Sequence, residues 1–291
     1  MKVNKETEKQ IKKLGEETFN AAILIVLMST ILTFVFVFSD SDSGFFITVI
    51  WATTIILVGI LSVSYTKEFK KKIVTPLLES RNLKYFPDKM INEDLIKESK
   101  LLASYDEIHG SDLVQGDGFS FCQIITEERD KDRDEDGKTE THVMFNGIFY
   151  MCELPVSVSG AYMVVKSFVD FSKIFPITSK NRIKLDYEPF EKIFDVYGND
   201  QIEGRYLFNL TFMQKLVEVY NEFEFEKLCI CHGRLYAIFP NRELIEVPFL
   251  ISGLNDEKIK RIKDTVFFLA SLRDKLFERH IKIMKLKDAI Y

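Results

Sequence analysis

The sequence predicts an α+β fold carried on a pair of membrane-spanning helices. Three observations lead there: two uncharged apolar runs near the N-terminus, alternating aromatic and β-branched segments through the middle, and a C-terminal stretch with helical apolar spacing. Apolar residues make up 46% of the 291, yet charge is almost confined to the part beyond the second run.

Lys and Glu surround Ile11, Leu14 and Phe19, which reads as an amphipathic helix over residues 1–20 at the membrane surface. Ala21 to Phe38 follows as eighteen residues without a charge, and Phe45 to Tyr65 as twenty-one. At 1.5 Å rise per residue, each crosses most or all of a hydrocarbon core about 30 Å thick. The first run is too long for the apolar core of a signal peptide, and the short polar stretch Ser39 to Gly44 leads directly into the second. That stretch is acidic through Asp40 and Asp42. Lys2, Lys5, Lys9, Lys12 and Lys13 precede the first run, and Lys67, Lys70, Lys71 and Lys72 follow the second. The bias of basic residues to the cytosolic side then puts both termini and the main domain inside, and the 39–44 loop outside.

Residues 66–102 read as a helical linker that Pro76 kinks or restarts, with a further short helix over Glu93 to Leu102. The cytosolic domain is expected over 103–253. Gly110, Gly116 and Gly118 mark a loop at its start. Phe119 to Thr126 and His142 to Leu154 have the alternation of a strand hairpin, and Ala161 to Phe168 of a further strand. Leu228 to Cys231 and Leu235 to Phe239 form a second hairpin, turned by His232 and Gly233. Asp200 with Glu203, and Thr211 with Gln214, match capping boxes and predict helix starts near 200 and 211. Asn255 or Asp256 opens the C-terminal helix, 254–291, with Ile259, Ile262, Val266, Phe267, Leu269 and Leu276 on one face.

From Thr66 onward, 34 Lys and Arg stand against 38 Asp and Glu, a balance that repels a phosphate backbone and excludes nucleic acid as a partner. The four cysteines, Cys122, Cys152, Cys229 and Cys231, fall in apolar strand-like stretches and read as reduced, buried thiols. Cys229, Cys231 and His232 are close enough in sequence for zinc, but strand alternation puts the thiols on one face and the imidazole on the other. Asp132, Asp134, Asp136 and Gly137 reproduce the first half of a calcium loop; its twelfth position is Val143, and alternating charges surround it, so a solvated hairpin tip is the plainer reading. No cofactor is implied.

The segment Phe190 to Leu216 carries Phe194, Val196, Tyr197, Asp200, Glu203, Arg205, Tyr206, Leu207 and Met213. In this it resembles a bacterial family catalogued as domain of unknown function 3137, which is similar in carrying two N-terminal spans before a strand-rich domain. Gly204 departs from the helix former expected there, and the stretch after Leu207 lacks the expected proline. The resemblance implies an architecture in a bacterial cell membrane and no reaction or ligand.

Tyr197, Asp200, Glu203, Arg205 and Tyr206 form the most site-like polar cluster, a candidate binding site whose plainest alternative is helix capping and ion pairing. No nucleophile elbow, phosphate-cradling glycine loop or zinc-protease pair occurs. The expectation is a non-enzymatic interaction or regulatory domain on a two-span anchor, with the lipid bilayer and another membrane protein or a second copy as partners. The alternative is an enzyme acting on a membrane-proximal substrate.

Overall fold

The computed structural model describes residues 5–38, 44–129, 140–167, 181–247 and 256–288. The chain divides into two compact units, residues 1–83 with 246–263 and residues 84–245 with 264–291.

In the first unit the apolar runs form α1 (Lys5–Phe38) and α2 (Gly44–Phe69). Both are long and apolar enough to cross a membrane. Their large side chains face outward: Leu24, Phe34, Phe45 and Ile55 are all at least 63% exposed, whereas a core helix would bury such residues. The two helices touch through small polar groups. Ser29 Oγ lies 2.5 Å from Thr54 Oγ1, and each oxygen also lies within hydrogen-bond distance of the carbonyl four residues earlier, so one hydroxyl donates to the other and the second donates to its own helix, a pattern suited to helices that must satisfy polar atoms internally. After α2 one π turn, Lys70–Val74, precedes α3 (Thr75–Glu79), and Pro76 occupies the first turn of that restarted helix. The proline has no N–H to give, so it suits the restart expected from the sequence; the wider π turn that leads into it goes beyond that expectation.

The second unit is built on nine strands, among the described residues, in one antiparallel sheet of order β1-β2-β3-β4-β9-β8-β5-β7-β6. They are β1 (Lys84–Phe86), β2 (Glu107–Gly116), β3 (Phe119–Arg129), β4 (Thr141–Glu153), β5 (Tyr162–Lys166), β6 (Arg182–Ile183), β7 (Phe194–Gly198), β8 (Lys227–Cys231) and β9 (Arg234–Pro240). Both expected hairpins form, β3 with β4 and β8 with β9. His232 and Gly233 turn the second with φ of +51° and +72°, the left-handed pair that a two-residue hairpin requires. The glycine loop expected at 110–118 is instead mostly β2. Met90 lies over Gly110 and the Phe119 ring over Gly116, so these glycines make room for side chains and only Asp117-Gly118 turns the chain. A bulge within β2 puts Asp112 at φ +59°, where its buried carboxylate accepts from Tyr85 Oη.

Alternation sends the two halves of each central strand into different cores. Cys122, Ile124, Phe149, Met163, Val165, Cys229, Cys231, Tyr236 and Ile238 pack with Ile91, Ile96 and Leu101 from the region of α4 (Glu93–Ser99). The opposite face carries Phe121, Tyr150, Tyr162, Val164, Phe194, Leu235 and Phe239, all buried. It is covered by α5 (Glu188–Glu191), α6 (Gln201–Leu207), α7 (Leu210–Glu222) and part of α8 (Asp256–Asp288), through ring pairs such as Phe190 with Phe194 at 5.2 Å and Phe223 with both Phe239 and Phe268. Because central strands are buried on both faces, β8 and β9 read as nearly continuous apolar runs. On α8 the expected apolar residues are buried except Phe267, whose place Phe268 takes. The helix is interrupted at Phe277, with φ −120° and ψ 18°.

Candidate functional site

A dense polar constellation surrounds Glu203 on α6. Asp200 caps that helix, its carboxylate accepting from the N–H groups of Ile202 and Glu203 at 2.8 and 2.9 Å. Glu203 does not turn back to complete the capping box. Its carboxylate reaches across to accept from Ser159 N–H and Oγ–H, both at 2.9 Å, and from Gly160 N–H and Tyr162 O–H, both at 2.7 Å. Those donors, led by the Ser159 amide and the Tyr162 hydroxyl, hold the carboxyl down at about 2. Tyr162 is fully buried, and its hydroxyl also lies 3.2 Å from the Asp200 carbonyl. Its ring is enclosed by glycines: a β-carbon at Gly160, Gly198 or Gly204 would fall within 3 Å of it. Gly204, where the family resemblance leads one to expect a helix former, is therefore the residue that lets α6 lie against Tyr162 and Ile183.

The five residues singled out from sequence do not gather at one point. Glu203 and Tyr206 line a groove of about 710 Å³ at the elbow between α6 and α7, with Val156, Val158, Leu210 and Phe277 on its walls. Phe212 and Phe277 stack at 5.4 Å within it. Asp200 is occupied as a cap, Arg205 is exposed, and Tyr197 on β7 opens instead onto a second cavity of about 200 Å³. Around the elbow Ile202, Tyr206 and Leu210 recur every four residues and are 72%, 79% and 54% exposed. Sequence reasoning missed Ser159, Gly160 and Tyr162, more than forty positions from Glu203, because no local spacing connects them.

The second cavity is lined by Glu98, Cys229, Cys231 and His232. The two sulfurs share a face of β8 at 3.6 Å, as alternation predicts. The imidazole does not go to the other face. His232 has left the strand for the left-handed turn, and its Nδ1 lies 2.5 Å from Glu98 Oε1. The S–H of Cys229 and the neighbouring His232 lower Cys231 to about 7, whereas sharing with Cys231 and burial push Cys229 up. Cys122 and Cys152 are pushed up to about 12 by burial. Cys152 pairs with Leu235 on the face of the sheet away from Cys229, which rules out a four-thiol site. Asp132, Asp134 and Asp136 lie outside the described residues.

Residues 143–277 match the model of a family described as protein of unknown function (DUF3137). Just under half of the chain is therefore similar to this family. The matched DUF3137 segment runs from within β4 to the break in α8, so it contains the Glu203 bracket, the elbow groove and the Cys229-x-Cys231-His232 turn, while α1 and α2 precede it. The crystal structure of the mycobacterial trehalose monomycolate transport factor A, TtfA, is similar at 10% identity and a TM-score of 0.37, over 68% of this chain and 89% of that one. No curated protein matches the chain.

Proposed function

We propose that this is a bacterial cell-membrane protein anchored by α1 and α2, with both termini and the sheet domain in the cytosol, whose DUF3137 domain binds another membrane protein without catalysing a reaction. The observation that carries the reading is the elbow groove, an apolar concavity bordered by the exposed stripe of Ile202, Tyr206 and Leu210. Exposed aromatic and aliphatic residues beside a ready-made hollow are the composition of interface centres. A carboxylate on its wall argues in the same direction. A general acid or base works best with a pKa near the ambient pH. Glu203, with four donors and a pKa of about 2, is fixed as an acceptor that holds the 159–162 segment in place.

The test is in-cell crosslinking of tagged protein, gentle detergent extraction and mass spectrometry, on the native chain and on Tyr206→Glu and Leu210→Glu. These positions are exposed, so both variants should fold. The expected result is a reproducible partner that both changes remove; recovery of a second copy of this chain in its place would identify the partner as itself. A partner retained by both variants would refute the groove as the interface.

A further inference from the structure

We infer that Cys229, Cys231, His232 and Glu98 form a binding site for a thiophilic divalent cation of the zinc class. It is distinct from the elbow groove and does not depend on the interaction reading.

The donor set is assembled from two sides. β8 supplies both thiols on one face, and the 3.6 Å between them is close to the ~3.8 Å that two thiolates would span on one tetrahedral ion with metal–sulfur bonds of ~2.3 Å. The left-handed His232-Gly233 turn redirects the imidazole toward the same point. Glu98, at the end of α4, completes a trio with Cys231 and His232 whose donor atoms all lie within 4.8 Å of one another; Cys229 stands outside that trio and adjoins it through its sulfur, 3.6 Å from that of Cys231. Binding would move the imidazole and the carboxylate from 2.5 Å apart to about 3.3 Å, the spacing of nitrogen and oxygen ligands around zinc. The exposed His232 ring has room for that adjustment.

Burial and charge also fit. The sulfurs are buried while His232 faces solvent, so the cavity of about 200 Å³ has a sheltered floor and an entry. Two thiolates and one carboxylate against a divalent ion leave one negative charge, beside Lys100 on the cavity wall and Arg234, 3.8 Å from Glu98. Thiolate and imidazole ligands favour zinc over calcium or magnesium. A second cluster, Glu107, His109 and Glu127, lacks both sulfur and shelter. With the Cys229 side chain drawn in as the fourth ligand the tetrahedral shell would be full, and the ion would fasten the end of α4 to the β8–β9 hairpin.

The full chain, purified in detergent under reducing conditions, would be titrated with Co²⁺ and Zn²⁺. One equivalent of Co²⁺ should produce thiolate-to-cobalt charge transfer and tetrahedral d–d absorption. Zn²⁺ should displace it and raise the thermal midpoint, reversibly on adding a chelator. The bands should vanish in Cys229→Ser/Cys231→Ser and persist in Cys152→Ser. The changes His232→Ala, at an exposed position, and Glu98→Gln, which keeps the side-chain shape at a half-buried one, should weaken binding by at least about tenfold, since even outer-layer partners of metal ligands cost 10- to 100-fold. Absence of a thiolate–cobalt band, or affinity unchanged in both His232→Ala and Glu98→Gln, would overturn the assignment.

Discussion

Glu203 and Gly204, adjacent on α6, show how far a residue's role depends on what lies across from it. Held at about 2 against an ordinary value near 4.5, the Glu203 carboxyl has a lowered folded-state pKa. Its stabilisation is therefore present above pH 4.5 and lost as the pH falls from there toward 2. Glu203→Gln should lower the thermal midpoint at neutral pH, and the gap from the native chain should close across that acid window; a constant gap would show that charge is not what the bracket uses. At Gly204, alanine improves helix propensity by up to about 1 kcal/mol, yet its β-carbon would fall 2.3 Å from Ile183 Cδ1 and 2.9 Å from Tyr162 Cε1. Overpacking of that kind costs about 1 to 3 kcal/mol. Gly204→Ala should thus destabilise the domain on denaturant unfolding, against the direction that propensity alone predicts.

Among the elements, α7 separates a motif from the atoms that perform it. The sequence offered Thr211 and Gln214 as a capping box, but the helix begins at Leu210, and Asn209 is the cap, its side-chain oxygen accepting from Phe212 N–H at 3.1 Å. Asn209→Ala should cost about 0.5 to 2 kcal/mol, whereas Thr211→Ala, exposed inside the first turn, should be neutral to within about 0.5 kcal/mol; equal losses in chemical denaturation would contradict the cap assignment. The same element scale explains the strands that escaped detection. β1 and β6 span three residues and two, too short to alternate, and the glycines of β2 imitate a loop because the space they leave is filled by Met90 and Phe119. The hairpins β3–β4 and β8–β9 were legible, being long, aromatic and closed by local pairing.

For the whole molecule, the decisive question is which side of the bilayer each segment occupies. Basic residues flank the outer ends of α1 and α2, and acidic Asp40 and Asp42 lie between them. A cysteine introduced between Ser39 and Gly44 should react with an impermeant thiol reagent in intact cells, and one introduced near the C-terminus should not. The native thiols are buried and should contribute little background; the reverse labelling pattern would place the sheet domain outside.

The sequence by itself determined the two apolar helices, the α+β class, both hairpins and the family resemblance. Each rests on periodicity or composition within a few tens of residues, where neighbours in the chain are neighbours in space. The tertiary structure decided the sites. Glu203 finds its donors at Ser159, Gly160 and Tyr162, and the Cys229-Cys231-His232 turn meets Glu98 from more than a hundred residues away. Strand order in the sheet and the left-handed backbone at His232 create those meetings, and neither is encoded in local spacing.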